Sequence, residues 1–236
     1  MTDAPRARGL NEGAIMNGFQ KVGGAAALVE AGTFVVGFAL YFTLLDASGY
    51  GSRAVEPVQN VAFLAEHQGL MYAWNLVIYI LFSIFLVPLA LALHERLKEG
   101  ASGLSQVAAG FGLIWAGLVI ASGMVANIAL GLVVHLYRSD PAQAATVWLT
   151  LDAVETGLGG GNEIAGALWV ILVSWAGHRA GGLPLGLNIL GGVIGIAGLL
   201  TVVPAFEVFG AVFGLGFIVW FVWVGVVMLR PTPGSS

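Results

Sequence analysis

The sequence predicts an all-α, polytopic bundle of about six transmembrane helices. Three observations predict it. Of the 236 residues, 58% are hydrophobic and only 9% are charged, against about 25% charged in a soluble domain, so the chain lacks the charge to cover a water-facing surface. The apolar residues gather in runs near the ~20 residues that cross about 30 Å of hydrocarbon. Those runs show none of the two-residue alternation of barrel strands, and a helix satisfies its own backbone hydrogen bonds in lipid.

Taken in order, the expected spans are 22–45, 70–93, 107–135, 157–176, 185–203 and 208–229. The polar, glycine-rich start is read as a cytoplasmic segment over 1–21, followed by one membrane domain over 22–230 and a cytoplasmic tail over 231–236. The first apolar run is too long for a signal-peptide core and no small-residue cleavage pattern follows it, so it is read as a retained span. The third run is long enough to tilt or project into water, and the fifth is marginal in length.

Orientation follows from the basic residues. Arg6, Arg8, Lys21, Arg96, Lys98, Arg179 and Arg230 fall on one side of this layout, Arg53 and Arg138 on the other. The positive-inside rule then places both termini in the cytoplasm. Two outer connections exceed a turn. The first, 46–69, opens with turn chemistry at Asp46-Ala-Ser-Gly-Tyr-Gly-Ser and continues as a short amphipathic helix suited to an interface. The second, 136–156, contains Ser139-Asp140-Pro141, a helix-start signal.

The chain has 35 glycines, about twice the usual share. Small residues let membrane helices approach closely. Gly191 and Gly195 form one GxxxG step and Gly210 and Gly214 another, while Gly23, Glu30 and Gly37 share a face of the first span. Packing within the chain is the expected use, and a second copy or a membrane-complex partner docking on such a face is the other.

Ionisable groups inside hydrocarbon usually face the bundle interior. Here the deep ones are Glu30 and Glu163, and no span supplies a basic partner. Such a carboxyl either stays neutral and donates one hydrogen bond to another helix, or handles a proton, cation or substrate. Around Glu163 the polar and small residues Asp152, Glu155, Thr156, Gly159, Asn162 and Gly166 fall on one arc of a continuous helix. The alternative is a helix broken across the three glycines at 159–161, and broken helices at membrane depth often line binding cavities. Asn75 and Asn127 add polar groups at similar depth.

Several functional classes are excluded. The net charge is −4 and the basic residues are scattered, which fits neither nucleic acid nor a polybasic lipid-capture segment, leaving the bilayer itself as the expected partner. Without cysteine there are no disulfides, thiolate metal sites or covalent haem attachments. His67 and His135, with Asp152, Glu155 and Glu163, are candidate divalent-metal ligands, yet no HxxxH, ExxH or HExxH spacing supports them. Two single histidines are equally thin as haem ligands, so no cofactor is assigned. Soluble-enzyme motifs are absent, and no catalytic set is expected.

Over 168–200 a span ends at His178-Arg179, turns through Gly181-Gly-Leu-Pro184, and re-enters as Leu185-Gly186 with Gly191-Gly192 and Ala197-Gly198-Leu199. This stretch resembles an uncharacterised family of bacterial multi-pass membrane proteins. The resemblance implies six helices in a bacterial inner membrane and carries over no site residues. The functional expectation is a polar pocket around the fourth span that handles a small solute, a proton or a cation. The alternative is a non-catalytic accessory protein of a larger membrane complex.

Overall fold

A computed structural model of the chain describes residues 4–52, 54–160, 163–206 and 208–230. They are helical almost throughout, with no strand among the described residues. The helices are α1 (Ala4–Leu40), α2 (Pro57–Glu66), α3 (68–100), α4 (102–137), α5 (Pro141–Glu155), α6 (Ile164–Ala180), α7 (Leu185–Leu200) and α8 (Phe209–Leu229). Four helical runs are long and apolar enough to cross a membrane: Gly18–Ser48, Gln68–Tyr137, Pro141–Ala180 and Phe209–Leu229.

The run Gln68–Tyr137 is a hairpin. Its backbone leaves helical geometry at Ala101 (φ −152°, ψ 51°), inside Gly100-Ala-Ser-Gly103, where glycine and serine are weak helix formers. Partners then run in opposite directions along the arms: His94 with Ser105 at 3.0 Å, Ala90 beside Gly112, Tyr79 beside Gly123 and Tyr72 beside Gly131. The expected spans 70–93 and 107–135 are these two arms. The fifth expected span ends early. α7 stops at Leu200, about 24 Å at 1.5 Å per residue, and Thr201–Val203 are turns leading to Pro204, whose ring disfavours helix in the residue before it.

The fourth expected span differs most. The residues expected as an outer connection form helix α5, and α6 begins only at Ile164. Between them the backbone breaks at Gly159 (φ 147°, ψ 6°), a conformation open to glycine and strained for any other residue. The continuous polar arc is therefore replaced by the broken alternative. Gly161 and Asn162 lie outside the described residues.

The chain divides into two compact units. Unit one draws on Met1–Ala31, Phe85–Ile114 and Ile164–Ser236, and unit two on Gly32–Ile84 and Trp115–Glu163. In unit one, α7 packs between α6 and α8. Its glycines face inward: Gly191 meets Ser174 and Val170, Gly195 meets Ile171 and the Ala167 carbonyl, and Gly198 meets Phe213. On the other face of α7, Leu185 (61% exposed), Ile189, Val193 and Ile196 project outward. Small residues inside and large apolar ones outside reverse the pattern of a soluble helix and suit a lipid surround. The expected intramolecular use of the Gly191/Gly195 step is found here. An aromatic core fills the rest, with Trp169 edge-on to Trp220 at 5.4 Å and Phe217 stacked on Phe221 at 4.9 Å.

Unit two is built on α2 packed against α5. Its core gathers Leu45, Val61, Leu64, Met71, Leu130, Val133 and Trp148. The predicted cap holds: the Asp140 carboxylate accepts from the Gln143 amide at 2.9 Å, with Pro141 in the first turn. The predicted turn after α1 closes through positive φ at Gly49 and Gly51, and the Gly51 amide donates to buried Asn60 Oδ1 at 2.9 Å. Helix α2 is present where the amphipathic segment was expected.

Candidate functional site

Three helices of unit two contain a π-helical turn: Tyr41–Leu45 following α1, Leu76–Leu81 within α3, and Thr156–Gly160 following α5. Such turns insert an extra residue and re-aim the side chains around it, often at functional sites. Each contributes to the wall of a cavity here: Tyr41 from the first, Ile78 and Tyr79 from the second, Thr156 and Gly159 from the third.

Two cavities result. The smaller, about 240 Å³, is lined by Tyr50, Trp74, Asn75, Trp148, Asp152 and Glu155 among others. The larger, about 260 Å³, contains Glu163, with Thr33, Phe38, Tyr41, Phe82 and Trp115 in its wall. Trp74 and Tyr79 line both. At about 30 Å³ per molecule, either has room for several waters or one small solute.

Hydrogen bonds fix the polar side chains. Asp152 and Glu155 lie three residues apart on α5 and so share a face. The Tyr79 hydroxyl donates to the Glu155 carboxylate and lies within electrostatic reach of Tyr50 and Glu163. Ser122 of α4 donates to the Glu155 carbonyl at 3.1 Å, tying α4 to the end of α5. Asn75 Nδ2 donates to Asn127 Oδ1 at 3.2 Å across the hairpin. The Trp148 indole donates to the Tyr50 hydroxyl, and burial holds that hydroxyl above its usual pKa against the opposing effect of the bond. The Trp74 indole N–H and Glu155 Oε1 are buried and make no hydrogen bond among the described residues. Both belong to side chains that line the smaller cavity.

No family model, curated protein or solved structure matches the chain.

Of the residues singled out by sequence, unit two brings together Asn75, Asn127, Asp152, Glu155 and Glu163. Glu30 belongs to unit one, where it is fully buried on α1 beside buried Ala26, Ala27 and Ala31. Asn162 is outside the described residues. His67 stacks on Phe63 at 4.4 Å and its Nδ1 lies 3.1 Å from the Phe63 carbonyl, while His135 is exposed. Neither histidine lines either of these two cavities, and no three metal-binding side chains converge among the described residues. Sequence reasoning missed Tyr50, Trp74, Tyr79 and Trp148. Their only signal was an aromatic side chain close in sequence to a polar one, as in Trp74-Asn75.

Among the described residues, no Lys, Arg or His lines either cavity. The chemistry available is therefore that of carboxyl groups and tyrosine hydroxyls within apolar, aromatic walls. Such a set attracts a proton or a cation and repels an anion.

Proposed function

We propose that this chain is an integral membrane protein that handles a small solute together with a proton or cation through the cavities of unit two. The observation carrying this reading is the adjacency of those cavities through Trp74 and Tyr79, with Glu155 on one, Glu163 on the other and, among the described residues, no basic residue on either. In this reading Glu163 exchanges a proton for a cationic solute, and the Tyr79 hydroxyl relays a proton between Glu163 and Glu155. Tyr79 donates to Glu155 and lies within electrostatic reach of Glu163, which suits a proton passing between the two acids. An accessory protein whose acids only hold helices together would not need a cavity at either carboxylate, which favours the handling role.

The proposal includes six spans, both termini in the cytoplasm and residence in a bacterial inner membrane. Basic-residue bias supports the orientation, and the family resemblance over 168–200 supports the membrane.

The test is proton flux in liposomes carrying the purified full-length protein and an internal pH-sensitive dye. Wild type is expected to dissipate an imposed gradient faster than protein-free liposomes, and Glu163→Gln to return the rate to that baseline while remaining folded. Wild-type flux at baseline, under gradients of pH and of alkali or organic cations alike, would withdraw the proposal.

A further inference from the structure

The cavity containing Glu163 differs from the other in its walls. Aromatic rings make up most of it, those of Phe34, Phe38, Tyr41, Trp74, Phe82 and Trp115 joining Tyr79. Neighbouring rings stand nearly perpendicular: Phe34 meets Phe82 at 5.7 Å and 68°, and Phe82 meets Trp115 at 5.0 Å and 70°. Edge-to-face neighbours are how a set of rings walls a volume on several sides, and the negative face of an aromatic ring attracts a cation.

The polar inventory is as telling. Among the described residues, Glu163 is the one acid of this wall, and its other side-chain oxygens come from Thr33, Tyr41 and Tyr79. A hard metal cation asks for six or more oxygen ligands in a close shell, which rings cannot supply. An anion would meet Glu163 with no Lys, Arg or His among the described residues of the wall to offset it. A neutral apolar ligand would use the rings but give the carboxylate no partner, at a desolvation cost. An alkylated ammonium ion uses both features, since its methyl groups pack on ring faces while its charge is met by cation–π attraction and the carboxylate.

We propose that this cavity binds a small organic cation of the alkylated-ammonium class, held against its aromatic wall and neutralised by Glu163. The proposal rests on the solute-handling reading above and names the class of solute. The break at Gly159 serves it, because Gly159 and Glu163 both line the cavity and the positive φ turns the chain between them and α5.

The test is calorimetric binding to the full-length protein in detergent, with choline and tetraethylammonium as probes. Choline's neutral carbon isostere, in which the quaternary nitrogen is replaced by carbon, serves as the control. Wild type is expected to bind at least one of the two cations, with the isostere at least about tenfold weaker when choline is the one bound. Glu163→Gln is expected to weaken the cation by about tenfold or more without changing the isostere. Because replacing a buried ring endangers the fold, no aromatic residue of the wall is substituted, and Glu163→Asp should partly restore binding. Equal binding of choline and isostere, binding of neither cation, or unchanged cation binding in Glu163→Gln would each overturn the proposal. If cations fail to bind while the Glu163-dependent proton flux persists, the solute class is wrong and the handling role stands. If both are absent, both readings fall.

Discussion

Glu163 and Glu30 carried the same signal in the sequence, each an acid deep in an apolar run with no basic partner, yet only Glu163 lines a cavity of unit two. Position along a span gives depth in the membrane but not which neighbours surround a helix face. Asn75, Asn127, Asp152 and Glu155 were legible for the reason Glu163 was, because a polar group in hydrocarbon needs a partner. Tyr79 and Trp74 were not, since an aromatic ring in a span reads alike whether it meets lipid, core or solute. Glycines divide just as sharply. A Cβ on Gly191 would collide with Ser174 Oγ and sit 2.9 Å from Trp220 Nε1, whereas Gly192 has nothing within 4 Å. Gly191→Ala is therefore expected to destabilise by about 1–3 kcal/mol through overpacking. Gly192→Ala should be neutral or slightly stabilising, since alanine is the better helix former. Thermal unfolding in detergent separates the two, and equal melting temperatures would refute this account of α7.

At the scale of the element, the spans read from hydropathy recur as helices where the run is uniformly apolar, as in both arms of the hairpin and in α8. The cap at Asp140-Pro141 was legible because its chemistry is local. What lies between α5 and α6 was left open, since three glycines weaken a helix without dictating where it breaks. The polar face of Asp152 and Glu155 belongs to α5 rather than to a span continuing past Glu163, so the acids reach the cavities from both sides of that break. The three π-helical turns had no sequence signature. They place Tyr41, Tyr79 and Thr156 in cavity walls, which is why the cavities themselves could not be drawn from periodicity.

For the molecule as a whole, the all-α character was the most legible property, because lipid leaves the backbone few alternatives. Its outer faces agree with that solvent, with Ile128 at 76% and Val208 at 73% exposure. The proposed orientation has a clean test, because the chain contains no cysteine. Ser139→Cys, beside the α4–α5 turn, is expected to react with a membrane-impermeant maleimide on intact cells. Ser102→Cys, at the hairpin reversal, should react only after lysis, and the opposite pattern would invert the topology. Whether Glu163 exchanges its proton decides between solute handling and helix packing, and difference infrared spectroscopy reads that carboxyl directly. Tyr41 and Tyr79 share its cavity, Tyr50, Asp152 and Glu155 line the adjoining one, and no Lys, Arg or His among the described residues lines either, so the control must isolate a single band. The prediction is a protonated-carboxyl band that titrates with pH, is absent from Glu163→Gln, and is lost at lower pH when choline or tetraethylammonium is present. A Glu163 band unchanged across the whole pH range, with or without the cation, would make the residue a packing element and contradict the proposed role.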